Sequence, residues 1–233
     1  MSETDVIQRV RRIALEEAKK SAAGVAGTVR PISPSGQGTN NVKYNTAFYG
    51  HEVSDPHGDV HLWCVVFIWW VMRKAGVPAT VFPKVASVFK QENANVRDFF
   101  KARHRFMSAS SMPKVGDLVI FKHSHIGIVE NVQGNTIFTV EGNASNRVRR
   151  RSYSRSNSDI DGYCHPAYEL VEDDMTKDEL LDALESDRGQ KALQQAVTHV
   201  LRAATGKDDA SQPASIWFDE VRAKVREIRQ RVH

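Results

Sequence analysis

The chain has two cysteines and nine histidines, and chemistry at neutral pH would have to be built around them. A thiol attacks as its thiolate, so a working cysteine needs a base beside it and surroundings that favour a negative sulfur. Cys64 is expected at the start of a helix covering Trp63 to Ala75, where the first N–H groups and the helix dipole favour negative charge. A turn-rich loop precedes it, and an apolar helix follows that would hold it rigidly. The competing reading is a small buried hydrophobe next to Trp63, which cysteine commonly is. Cys164 adjoins His165, but neighbours on a strand point to opposite faces and make a poor nucleophile–base pair. We read Cys164 as structural.

His125 is the base that the spacing offers. It opens the expected strand Ile126-Gly127-Ile128-Val129, just after another at Leu118–Phe121. Gly127, two residues on, leaves room on the same face for substrate or another chain. His123 lies on that face as well and is the rival. Glu141-Gly142-Asn143 closes a third strand. In an extended chain Glu141 and Asn143 face the same way and both reach one imidazole or the space beside it. A base needs such a third group to fix its tautomer and support the imidazolium.

Two further groups are candidates for binding. Asp55, His57, Asp59 and His61 alternate ahead of Cys64 and share one side if the loop is extended. Calcium prefers oxygen ligands and rarely takes two histidines, while zinc would accept them but compete with a thiol enzyme. The other reading is a solvated turn. Arg147, Arg149, Arg150, Arg151 and Arg155 lie in a Ser-rich stretch without aromatic interleaving or a nucleic-acid module. A solvated loop near anionic polymer is expected there, and no nucleic acid.

The elements that must position these residues follow from pattern. Residues 4–20 carry Val6, Ile7, Val10, Ile13 and Ala14 on one helical face, and Ser2 or Thr4 can cap the start. Gly24 to Asn41 reads as loop. Gly76 and Pro78 stop the second helix. Residues 84–106 read as a more polar helix. Pro113–Asp117 is turn chemistry, followed by strands at Leu118–Lys122, Ile126–Asn131, Thr136–Glu141 and Tyr163–Val171. Helices first and antiparallel strands second is an α+β order. Thr176–Glu179 is a capping box opening a helical C-terminal extension over 173–233, distinct from a catalytic unit over 1–172.

With 233 residues, 41% hydrophobic and 26% charged, the chain reads as a soluble globular protein. Its formal charge of +4 permits an anionic partner without specifying one. The longest apolar run, Leu62 to Met72, falls short of the roughly 20 residues that span a bilayer, so no membrane span is expected. No secretory signal is visible at Met1–Asp5.

Four blocks in order carry a resemblance. Trp63-Cys64 through Val71, Pro113 with Gly116-Asp117-Leu118-Val119, Ser124-His125-Ile126-Gly127-Ile128-Val129, and Val140-Glu141-Gly142-Asn143 resemble the cysteine, histidine-dependent amidohydrolase/peptidase (CHAP) family. Tyr44-Asn45 and Phe48-Tyr49-Gly50 resemble the lead-in of its actinobacterial and phage members. The resemblance implies a papain-like fold and hydrolysis of an amide bond in bacterial peptidoglycan, with Cys64 as nucleophile, His125 as base, Glu141 as orienter and Asn143 as an auxiliary polar group. It implies an oxyanion hole from the Cys64 N–H and an upstream group, for which Tyr49 is the candidate. Some members bind calcium in the loop corresponding to Asp55–His61; no other cofactor is expected. The expected setting is a phage endolysin that stays in the host cytoplasm until released to the wall. The alternatives are a virion-borne tail lysin and an inactive wall-binding or structural module. The C-terminal helices would dock, self-associate, or attach the enzyme to wall or virion.

Overall fold

A computed structural model describes residues 2–29, 40–53, 61–90 and 95–171. The chain divides into two units, Met1–Glu172 and Asp173–His233; the second, with its expected helices, lies outside the described residues. Helix α1, Glu3–Ala22, begins where Ser2 accepts from the Asp5 N–H at 3.2 Å and the Asp5 carboxylate accepts from the Ser2 N–H at 3.1 Å. That reciprocal pair satisfies two otherwise orphaned donors. Val6, Val10, Ala14 and Ala18 bury one face of the helix.

Helix α2, Lys43–Tyr49, is one that periodicity does not announce. It spans seven residues and has no side-chain cap, so packing must hold it. The Tyr44 ring stacks on Trp63 at 5.5 Å and meets Phe67 and Trp70 edge-on. Its hydroxyl donates to Glu17 of α1 at 2.7 Å. Glu17 is buried and also receives Lys43 at 2.5 Å and Lys20 at 2.9 Å. Burial would push its carboxyl up, but these donors hold it below the usual carboxylate range. A depressed value means that the contribution is present above the unfolded-state value near 4.5 and lost as pH falls through the folded one. Glu17→Ala is expected to cost about 3–5 kcal/mol at pH 7, because Tyr44 and Lys43 lose their acceptor. Urea unfolding at pH 7 and pH 3 checks this: the gap between wild type and variant should narrow at the lower pH.

Helix α3, Cys64–Lys74, is buried along most of its length and ends with Gly76 at φ +74°. It packs on α1 and on two strands of the sheet. Residues 84–106 are not the single helix their composition suggests. Among the described residues there, α4, Val96–Lys101, is the one helix, opened by Asn95 accepting from the Asp98 N–H at 2.9 Å. His104 at φ +56° turns the chain out of helical geometry, and Phe106–Ser108 becomes strand β1.

The remaining strands are β2 Leu118–Phe121, β3 His125–Gln133, β4 Thr136–Glu141, β5 Arg149–Ser154 and β6 Ile160–Cys164. They form one antiparallel sheet in the order β1-β6-β2-β3-β4-β5. The α+β, papain-like order expected from the sequence is therefore present. Leu118, Ile120, Ile126 and Ile128 join the core cluster that contains the helices, while Val119, Phe121 and Val129 build a second cluster.

Two strand expectations need correction. Arg149–Ser154 is an edge strand rather than a solvated loop, paired with β4 from Glu141↔Arg149 to Thr136↔Ser154. Its exposed arginines hide the strand from a hydrophobic reading. Arg150 anchors it by donating to buried Glu130 at 2.6 and 2.7 Å. The last strand ends at Cys164, and a short 3₁₀ turn, Tyr168–Leu170, occupies the rest of the segment expected to be extended. Cys164 itself is fully buried, with burial pushing its thiol well up. His165 turns away to Asp117, at 2.6 Å.

Candidate active site

Cys64 is the first residue of α3, where the opening N–H groups of a helix have no intrahelical acceptor. The loop leading to it is pinned from α2. Asn45 is buried and donates to the carbonyls of Asn40 and His61, each at 2.9 Å. Trp63, wholly buried against Tyr44, fixes the residue before the thiol.

His125 opens β3 opposite Phe121 and interacts electrostatically with Cys64. Its Nε2 donates to Glu141 Oε2 at 2.9 Å, which leaves Nδ1 as the nitrogen for the sulfur. Glu141 is buried at the end of β4. Thr139 donates to its Oε1 at 2.6 Å, and the Tyr153 hydroxyl of β5 donates to Oε2 at 3.3 Å. Burial would lower the His125 pKa, but Cys64 and Glu141 outweigh it and raise the value to about 9. Because the folded value lies above the ordinary 6.5, the stabilisation is full below pH 6.5 and lost as pH rises through about 9.

Gly127 does not leave space for substrate, as its position suggested. A Cβ there would stand 2.8 Å from Glu141 Cγ and 3.3 Å from Thr139 Cβ, so the vacancy is filled by the Glu141 side chain. Gly142 works similarly on the helix side, where a Cβ would come within 2.3 Å of the Phe67 side chain. The end of β4 thus lies against the first turn of the cysteine's helix.

Asn143 does not join Glu141 on the imidazole. The chain leaves extended geometry at φ +57°, and the Asn143 Oδ1 is buried without a hydrogen-bond partner among the described residues. The premise of an extended 141–143 segment fails because Gly142 must fold against Phe67. Tyr49 packs on Phe48, His51 and His61, and no described contact carries it to Cys64. Burial raises its hydroxyl pKa. His123, the rival base, pairs through Nδ1 with Asp159. Its ring stacks on His125 at 5.6 Å, with planes 15° apart.

Of the loop suggested for calcium, Asp55, His57 and Asp59 lie outside the described residues. The His61 ring meets Tyr49 edge-on at 4.9 Å. Among the described residues no group of three or more His, Cys, Asp or Glu is placed to hold a metal ion, and none of their helices is long and apolar enough to cross a membrane.

Tyr153 is the member of the site that sequence reasoning missed. It is the one aromatic residue in an arginine- and serine-rich run, and its meaning depends on β5 pairing with β4.

Residues 56–143 match the family model of the CHAP domain. Cys64, His125, Glu141 and Asn143 all fall inside that span. No curated protein matches it. Among solved structures it is similar to Ly7917 with the hydrolyzing product of MDP, at 16% identity and TM-score 0.39. It is also similar to a second crystal structure of Ly7917, at 15% and 0.38. Each likeness covers 67% of this chain and 62% of the other, so the chain spans less than two thirds of their length.

The charged ring has a kinetic signature. The rate constant kcat/KM on an amide substrate is expected to fall above pH 9 or so, as His125 loses the proton it must donate. Glu141→Gln removes one of the charges that hold that proton, so the falling limb should move down by about 1 unit or more. A pH–rate profile of both proteins, with an NMR titration of the His125 ring, checks the shift. An unmoved limb would assign the descent to another group.

Proposed function

We propose that this chain is a cysteine-dependent peptidoglycan hydrolase that cleaves an amide bond in the bacterial cell wall. The observation that carries the reading is the placement of His125, coupled electrostatically to Cys64 and held through Nε2 by the buried Glu141 carboxylate, which accepts from two further donors. An inactive wall-binding module would have no use for that arrangement.

In the reaction, Cys64 Sγ attacks the amide carbonyl carbon, and its negative charge passes to the carbonyl oxygen. The Cys64 backbone N–H at the start of α3 is the donor available to that oxyanion. Collapse of the tetrahedral intermediate breaks the C–N bond while His125 Nδ1–H protonates the departing amine, leaving a thioester. The neutral ring then takes a proton from water, whose oxygen attacks the thioester. Release of the carboxylic acid restores the thiolate–imidazolium pair. Glu141 keeps Nε2–H engaged throughout, so the ring stays aimed during both transfers.

The resemblance of the Tyr44–Gly50 lead-in extends the reading to a phage-type lysin. Digestion of purified actinobacterial and other Gram-positive walls, with mass spectrometry of the fragments, tests the proposal. New amine and carboxyl ends should appear in equal number, and their identity will separate amidase from endopeptidase. Release of new reducing sugar ends instead would make the enzyme a glycosidase and defeat the reading.

A further inference from the structure

Strands β2 and β3 are joined by three residues, Lys122, His123 and Ser124. A loop of that length closes when its last residue takes a left-handed conformation. Ser124 does so at φ +65°, with its N–H donating to the Phe121 carbonyl at 3.1 Å. Phe121 and His125 stand opposite each other across the base of the loop. The tight return brings the His123 ring against both. It lies 5.6 Å from the Phe121 ring and 5.6 Å from that of His125, with its plane 15° from the latter. Both separations are those of attractive ring contacts.

The His123 side chain is 60% exposed, so burial does little to fix it and its partners must. Asp159 takes its Nδ1, and Asp159 is itself placed by other bonds. The Lys122 N–H donates to the Asp159 carbonyl at 2.8 Å, and Lys122 Nζ to the Ser158 carbonyl at 2.6 Å. The Asp159 N–H donates to Asn157 Oδ1 at 2.9 Å. The turn before β6 is thus tied to the β2–β3 loop, and its carboxylate anchors His123 from the side away from His125.

His125 has a use for that anchored ring. Glu141 holds it at Nε2, but one hydrogen bond fixes a point on a ring and leaves its plane free to tilt. A tilt swings Nδ1 away from its proton-transfer partner, and productive geometry tolerates only about 10–20° of it. A flat ring lying on one face restrains the motion that the hydrogen bond does not. We propose that His123 is a positioning residue, whose ring face, anchored by Asp159, holds the plane of His125 for proton transfer. This assignment rests on the peptidoglycan hydrolase reading for what His125 does, and not for where its ring is held.

Two variants of the full chain separate the ring face from the polar link. His123→Asn keeps a group that can bond to Asp159 and loses the face, whereas His123→Phe keeps the face and loses the bond. On wall fragments His123→Asn should lower kcat about tenfold with KM within about twofold, and His123→Phe should stay within about threefold of wild type. Exchange of the His125 Nε2–H with solvent, followed by ¹⁵N NMR without substrate, should quicken at least fivefold in His123→Asn and hold in His123→Phe. Melting curves within a few degrees of wild type show that both variants fold. Wild-type kcat and exchange in His123→Asn would make His123 an ordinary surface group and overturn the proposal. Equal losses in both variants would assign the effect to the bond with Asp159, and a rise in KM alone would assign it to substrate contact; either result overturns the proposal as well. Wild type that cuts no wall, with the exchange pattern as expected, would defeat the hydrolase reading and leave the positioning of His125 standing.

Discussion

Cys64→Ala is expected to abolish wall cleavage, with a fall in kcat of about 10⁴-fold or more, while the fold survives. No general acid, however well placed, replaces the atom that forms the thioester. The substitution removes one sulfur at the buried start of a helix whose other contacts continue through Val65, Val66 and Phe67, so the thermal midpoint should move by only a few degrees. Cys64→Ser should be nearly as inactive, since a serine hydroxyl gives up its proton far less readily than a thiol. Turbidity clearing of purified walls, run beside a melting curve, separates loss of chemistry from loss of fold. Equal clearing by wild type and Cys64→Ala would end the thiol mechanism outright.

The second large effect is expected from a residue with no side chain. Gly127→Ala places a methyl group 2.8 Å from Glu141 Cγ, closer than real contacts allow, so the carboxylate arm must shift away from His125 Nε2. With its far nitrogen released, the imidazolium loses both orientation and charge support. A fall in kcat of about 10²-fold is expected, with KM little changed, since misplacement of this size commonly costs that much. The pH limb should also move down, as for Glu141→Gln. Steady-state kinetics at pH 7 and 9 checks both features. Full activity in Gly127→Ala would mean that Glu141 is not needed where it stands.

The candidate nucleophile, base and orienter were legible because each depends on local pattern. A helix start, a strand start and a strand end are visible in residue types, and Cys64, His125 and Glu141 sit at those points. What could not be read came from contacts between segments. Asn143 fails to follow Glu141 onto the ring because Gly142 must bend around Phe67, 75 positions earlier in the chain. The strand Arg149–Ser154 shows no apolar alternation, since its register is set by β4 and by the Arg150–Glu130 pair. Tyr153 was invisible for the same reason. The helix Lys43–Tyr49 is too short for periodicity and is held by the Tyr44 ring among Trp63, Phe67 and Trp70. The residues 84–106 have helical composition but hold a capped helix of only six residues and a strand.

Gly142 also bears on how this enzyme tolerates change. The distance between the nucleophile's helix and the orienter's strand is set there by a missing atom, since even a methyl group would overlap the Phe67 side chain. Charges around the rim, such as Arg149 or Arg151, can drift or be redesigned for new walls without altering that spacing. Position 142 has no such latitude: each of the nineteen other residues begins with the same obstructing carbon or its equivalent. A saturation library screened for wall clearing should therefore return a plateau of accepted substitutions at Arg149 and Arg151 and a single accepted residue at 142, unless Phe67 is trimmed in the same clone.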